Sequence, residues 1–219
     1  MIRAAIFDWN GTVMNDSEVM FETCNHMLEY HGAQRISRTR FEETFTLPWT
    51  LFYERNGVNL DAIDIPDHQN EYLRKFRETE LVRNPKPYEN LEKVLEWLKE
   101  RKLEIAILSG HHESDIKERI KKFKLERFID FAIGEETAEE MGKASKHMDA
   151  LFKTLSARPN ECIYIGDLGA DIRIGRLAGM KTIAMVSGYQ SESVLKSEKP
   201  DFLIRNVSEI VGIVKKLNA

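Results

Sequence analysis

The sequence has few cysteines, few prolines and no long apolar run. Its two cysteines, Cys24 and Cys162, stand far apart with no CxxC spacing, which argues against a disulfide framework and fits a reduced compartment. No apolar stretch approaches the roughly 20 residues needed to cross a bilayer, so no membrane partner is expected. The opening Met1 to Phe7 is too short, and too soon interrupted by Asp8, to read as a secretory signal, so a cytoplasmic location is expected. Excess positive charge is also missing. The 32 basic residues against 36 acidic ones give a net charge of -4, which provides no overall field to attract nucleic acid. Internal repeats and low-complexity tracts are absent too. What is present is a chain of 219 residues, long enough to bury a substantial core as one domain with an insertion or as two small domains.

Five short apolar runs read as strands: Ile2 to Phe7, Glu104 to Leu108, Glu161 to Ile165, Lys181 to Val186 and Asp201 to Ile204. Helical patterns lie between the later ones, such as Leu91, Val94, Leu95 and Leu98 at spacings that place one apolar face on a helix. Strands apolar on both faces and alternating with helices predict βαβ units and a parallel sheet covered on both sides. The stretch from Asp16 to Val82 breaks this rhythm. It offers no strand but four amphipathic segments, Ser17 to His31, Ser37 to Phe45, Trp49 to Asn56 and Pro66 to Glu80, with Gly32 and Ser37 as cap residues. Asn84-Pro85-Lys86-Pro87 reads as a stiff hinge at its end. The expected fold is α/β: a doubly wound, Rossmann-like parallel sheet core from residues 1–15 and 83–219, with a helical cap domain inserted over residues 16–82.

In open parallel sheets ligands bind outside the carboxyl ends of the strands. The residues there are Asp8-Trp9-Asn10-Gly11-Thr12, Ser109-Gly110-His111-His112, Gly166-Asp167-Leu168-Gly169-Ala170-Asp171 and Ser187-Gly188-Tyr189. Three of the four place a small or hydroxyl residue beside a glycine, which exposes backbone N–H groups to an anion, and two carry carboxylates. Carboxylate oxygens without Cys, and without His at zinc spacing, suit Mg2+ better than zinc.

These residues resemble the haloacid dehalogenase superfamily. Asp8-Trp9-Asn10-Gly11-Thr12 is similar to its motif I (DxDGT), Ser109 to its motif II Ser/Thr, and Gly166-Asp167 through Asp171 to its motif IV (GDxxxD). The helical insertion sits where that family carries its C1 cap. The resemblance implies a phosphatase of the phosphoglycolate phosphatase branch, acting on a small phosphorylated metabolite through an aspartyl-phosphate on Asp8. It implies Mg2+ held by Asp8, the Asn10 backbone carbonyl, Asp167 and Asp171. It also implies phosphate binding by Ser109 and Gly110, with Thr12 and His111 as further substrate contacts, and a motif III lysine. Lys146, which opens the apolar pattern Met148, Leu151, Phe152, Leu155, fits that lysine better than Lys143.

Asn10 departs from the family pattern. Where phosphatases of this family carry an acid-base Asp, an Asn neither gives nor takes a proton at neutral pH, and positioned acid-base catalysis is worth roughly 10²- to 10⁴-fold. Three outcomes follow: a slow phosphatase favouring good leaving groups, an enzyme borrowing its acid-base group, for which His111 and His112 are the candidates, or a phosphate-ligand binding protein with little catalysis. A phosphomutase is a further alternative, as is a phosphonatase, for which Lys75 is the only cap lysine. Asp8 could instead satisfy the Asn-Gly turn, Ser109 could cap a helix starting near Glu113, and Asp171 could face a helix dipole. The aromatics Phe41, Phe45, Trp49, Phe52 and Tyr53 are either cap core or a wall of the substrate cavity. Asn15 and Asp16, where the chain enters the cap, read as hinge or substrate contact.

Overall fold

The computed structural model describes residues 1–135 and 144–219. The first half of the chain runs β1 (Ala4–Phe7), β2 (Met14–Asn15), α1 (Ser17–Tyr30), α2 (Arg38–Thr44), α3 (Trp49–Arg55), α4 (Ile65–Arg83) and β3 (Lys86–Pro87). It continues with α5 (Leu91–Glu100), β4 (Glu104–His112), α6 (Glu113–Lys122), β5 (Phe131–Glu135) and α7 (Ala144–Thr154). The last part holds β6 (Cys162–Gly166), α8 (Gly169–Leu177), β7 (Lys181–Met185), α9 (Glu192–Ser197), β8 (Phe202–Ile204) and α10 (Glu209–Leu217).

Six strands form one parallel sheet in the order β5-β4-β1-β6-β7-β8. Because side chains alternate along a strand, Ala5 and Phe7 of β1 join one apolar layer while Ala4 and Ile6 join the other. The first layer receives Leu91, Val94, Leu95 and Leu98 of α5, Ile116 and Ile120 of α6, and Ile210 and Val214 of α10. The second receives Met148 and Leu151 of α7, and Ile172 of α8 packs beside it with Ala184 and Leu195. The sheet is therefore doubly wound, as the alternation of strands and helices predicts. The chain leaves β1 to build β4 and β5 on one side and returns to build β6, β7 and β8 on the other. That reversal makes the carboxyl end of β1 a topological switch point, where open sheets of this kind form crevices.

Helices α1 to α4 surround a hydrophobic cluster of their own, with Val19, Met27, Leu28, Phe41, Phe52 and Phe76 buried. Each such side chain contributes roughly 1.5–3 kcal/mol on burial. The Phe41 ring meets Phe21, Phe45 and Phe52 at centroid distances of 5.5, 4.9 and 6.0 Å. The ends of these helices follow local chemistry. After α1, Gly32 adopts φ +78°, its N–H donates to Glu29 O and the Ala33 N–H to Leu28 O, which is the Schellman arrangement. Before α2, Ser37 Oγ accepts from the Arg40 N–H at 3.1 Å.

Three features depart from the sequence expectation. β5 was not expected: Phe-Ala-Ile-Gly-Glu is short, shows no clean alternation and, among the described residues, pairs with β4 alone. β4 also runs beyond Leu108 to His112, with a register shift in which Leu108 faces Ile133 but His112 faces Glu135. The extra residues form a bulge, a device that re-aims side chains at a strand end. In addition, β2 and β3 pair antiparallel, joining Met14 and Asn15 to Pro87 and Lys86 at the two ends of the helical stretch.

Candidate active site

Asp8 follows β1, and its backbone N–H donates to Ile165 O at 2.9 Å. β6 lies beside β1 with Phe7 opposite Ile165, so Asp167 and Asp171 stand next to Asp8 at the same end of the sheet. Each of the three offers a carboxylate oxygen within 4.8 Å of the others. Asp167 is only 1% exposed. One of its oxygens accepts from Thr12 Oγ1 at 3.2 Å, and the other has no hydrogen-bond partner among the described residues. Asp171, in the first turn of α8, accepts from the Leu168 N–H at 2.9 Å and lies 3.4 Å from the Tyr164 hydroxyl.

Concentrating buried negative charge has an electrostatic cost, which raises the pKa of each carboxyl group. Burial first, then the Asp171 and Asp167 charges, pushes the Asp8 carboxyl well above the usual carboxylate range. Asp167 is raised by burial and then by Asp171. Burial pushes Asp171 up to about 6, against the lowering effect of the Leu168 N–H. A cluster of hard oxygen donors with one buried oxygen unpartnered and all three groups resisting ionisation fits a divalent cation, which would relieve the repulsion.

The turn between Asp8 and Thr12 is built to bring the backbone against this cluster. Gly11 has φ +72°, and a Cβ there would lie 2.2 Å from Asp167 Oδ2, so no other residue fits. Asn10, 8% exposed, donates from Nδ2 to Asp16 Oδ2, while its Oδ1 has no partner among the described residues. Asp16 is 2% exposed, and its other oxygen accepts from the Gly11 N–H at 2.8 Å and the Tyr189 hydroxyl at 3.1 Å. Burial pushes Asp16 up to about 6 despite these three donors.

β4 borders β1 on the other side, Phe7 facing Ile107, which puts Ser109 at the same strand end as Asp8. Ser109 is buried, and Gly110 beside it is exposed. Ser109 does not cap α6; its Oγ accepts from the His111 N–H at 3.2 Å. The His111 ring lies 6.2 Å from Phe76 of α4, so it stands between the sheet and the helices. Lys146 lies in the first turn of α7, with its side chain outside the described residues, and Lys143 lies outside them altogether.

The loop after β7 ties the sheet to helices α1 to α4, a role the sequence does not signal. Tyr189 packs on Phe41 and Phe45. Gln190 donates to Phe45 O at 2.6 Å and accepts from the Gly169 N–H at 2.7 Å, and the Ser191 N–H donates to Glu42 O at 2.9 Å. A glutamine between Ser-Gly-Tyr and Ser gives no signal of this in one dimension. The contact of Asp16 with Asn10 was equally invisible: Asp16 reads as hinge or substrate contact, and its carboxylate instead turns back six positions to Asn10.

Comparison with known proteins agrees with the fold and the family. Residues 5–185 match the model of the family described as haloacid dehalogenase-like hydrolase. The chain belongs to that family. The pyrophosphatase PpaX of Halalkalibacterium halodurans is 24% identical over 216 residues, covering 97% of each chain. Among solved structures, one described as a predicted phosphoglycolate phosphatase from Haemophilus somnus 129pt superposes with a TM-score of 0.74 at 16% identity, covering 97% of this chain and 98% of the other. A predicted phosphatase from Clostridium acetobutylicum also reaches 0.74, at 19% identity, covering 99% of this chain and 100% of its own.

Proposed function

We propose that the protein is a Mg2+-dependent phosphatase that hydrolyses a small phosphorylated metabolite through an aspartyl-phosphate on Asp8. The observation that carries this reading is the meeting of Asp8, Asp167 and Asp171, drawn from two adjacent strand ends. Asp8, Asp167, Asp171 and the Asn10 backbone carbonyl would hold the cation, which supplies charge neutralisation between the carboxylate and the phosphoryl group when bound. An Asp8 oxygen bonds to phosphorus while the bond to the leaving oxygen breaks, and water then attacks the same phosphorus to free the carboxylate. Ser109 and the Gly110 N–H would receive phosphate oxygens, His111 would contact the substrate, and Lys146 would balance the transferring charge. Thr12 would hold Asp167 in place. Residues 16–82 would serve as the cap over a core formed by residues 1–15 and 83–219, in a cytoplasmic enzyme with no nucleic-acid or membrane partner.

The name of the PpaX relative supports inorganic pyrophosphate as a substrate to test, and the chemistry of Asn10 agrees. An amide cannot protonate a departing oxygen, so the reaction favours groups that leave without help. Phosphate departing from an anhydride is a much weaker base than an alkoxide departing from a sugar ester.

The test is hydrolysis of p-nitrophenyl phosphate and of pyrophosphate with and without Mg2+, comparing the native chain with Asp8→Asn. The reading predicts turnover that requires Mg2+ and disappears in the variant. A native chain inert toward both compounds would leave phosphate binding without catalysis as the better account.

A further inference from the structure

We propose that Asp16 is a positioning residue for Asn10, holding its amide so that Oδ1 is presented to the reaction as a fixed hydrogen-bond acceptor for the attacking water. The inference rests on the phosphatase reading above and assigns the residue that replaces acid-base chemistry in the water step.

The first observation is where the Asp16 carboxylate points. Asp16 occupies the N-cap of α1, yet its side chain makes no capping hydrogen bond to that helix. It turns back instead and collects three donors: Asn10 Nδ2, the Gly11 N–H and the Tyr189 hydroxyl. An aspartate that gives up its own cap to gather the motif I turn is serving that turn.

The second observation is what this leaves on Asn10. A carboxylate accepts only, so the amide must face it with nitrogen; the reverse orientation would oppose oxygen to oxygen. The other arm of the planar amide, Oδ1, is then fixed in direction, and it is buried without a partner among the described residues. A buried acceptor left unsatisfied is costly, and one placed two residues from the nucleophile is available to a reactant. In the second half of the reaction the water oxygen bonds to phosphorus, the bond between phosphorus and Asp8 breaks, and the water proton ends on the inorganic phosphate. Asn10 takes no proton in this step. It orients the water by accepting a hydrogen bond.

An exchange of the two residues tests the assignment. In Asp16→Asn, the Gly11 N–H cannot reverse, so the introduced side chain keeps its oxygen there and turns its nitrogen toward Asn10. Asn10 must then rotate and withdraw Oδ1 from the reaction. We expect kcat on p-nitrophenyl phosphate to fall about tenfold, the worth of one neutral hydrogen bond, with KM little changed. Asn10→Asp alone opposes two carboxylates and should gain little. In Asn10→Asp/Asp16→Asn the hydrogen bond re-forms with its polarity reversed, and kcat should exceed that of either single variant. Melting temperatures accompany each assay. If Asp16→Asn does not fold, the comparison of Asn10→Asp with the double variant decides, and a double variant no better than Asn10→Asp overturns the proposal. Native turnover undiminished by Asp16→Asn overturns it alone, whereas a native chain without Mg2+-dependent turnover overturns the phosphatase reading and this inference with it.

Discussion

Gly11 is the residue on which the geometry of motif I turns. Its left-handed backbone costs other L-residues roughly 1–2 kcal/mol, and any Cβ there would collide with the Asp167 carboxylate. Gly11→Ala should therefore lower the melting temperature and abolish any stabilisation by Mg2+, which a thermal scan with and without the ion would detect. Asp167→Asn should act in the opposite sense on the metal-free protein. It removes a buried charge opposed by Asp171 and Asp16, so the metal-free variant should melt higher than the native chain and respond less to Mg2+. A lower melting point would show that the carboxylates are not strained by their neighbours. At this scale Asp8 and Asp167 were legible because each stands at the end of an apolar run, and Asp171 because it completes the GDxxxD spacing four residues after Asp167. The Asn10 and Asp16 pairing was not, since it depends on how the turn folds back over six positions.

Helices α1 to α4 were legible as elements because amphipathic spacing and cap residues agree, Gly32 after α1 and Ser37 before α2. Strand β5 was not, because an edge strand of five residues with a glycine lacks both alternation and turn signals. The way α1 packs on α4 was also hidden. His31 Nε2 and His68 Nδ1 are 2.8 Å apart, and His68 stacks on Trp49 with centroids 4.4 Å apart. Burial, and after it His31, pushes His68 down from 6.5 to about 4, with Asp67 opposing. Since the folded value lies below the unfolded one, the unfolded chain binds more protons in between. Stability is then complete above about pH 6.5 and is lost as pH falls toward about 4, by about 3 kcal/mol from this group. Urea midpoints across that range should fall more steeply for the native chain than for His68→Phe. Equal slopes would remove His68 from the account.

Gln190 belongs to the same scale, since it joins the Phe45 carbonyl to the first N–H of α8. Replacing it with Ala leaves two buried backbone groups unpaired, at about 1–3 kcal/mol for each. Gln190→Ala should raise KM more than it lowers kcat, because the helices would lose a tie to the sheet while the carboxylates keep theirs. A change confined to kcat would contradict this.

For the whole molecule, the parallel sheet and its two helical layers were readable from alternating apolar runs. Their order in space was not, because the return of the chain past β1 leaves no local mark. That return nevertheless makes the site, by bringing the ends of β4 and β6 to either side of Asp8. The proposed aspartyl-phosphate on Asp8 is directly observable because of Asn10. With an amide in place of a base, the water step is slowed more than the transfer of phosphate from a good leaving group, so phosphoenzyme should accumulate. The decisive measurement is mass spectrometry of protein quenched in acid during turnover of p-nitrophenyl phosphate with Mg2+. Covalent catalysis predicts one added phosphoryl group, located to the peptide that contains Asp8 and absent from Asp8→Asn. Turnover without that adduct, or an adduct that persists in Asp8→Asn, would contradict it.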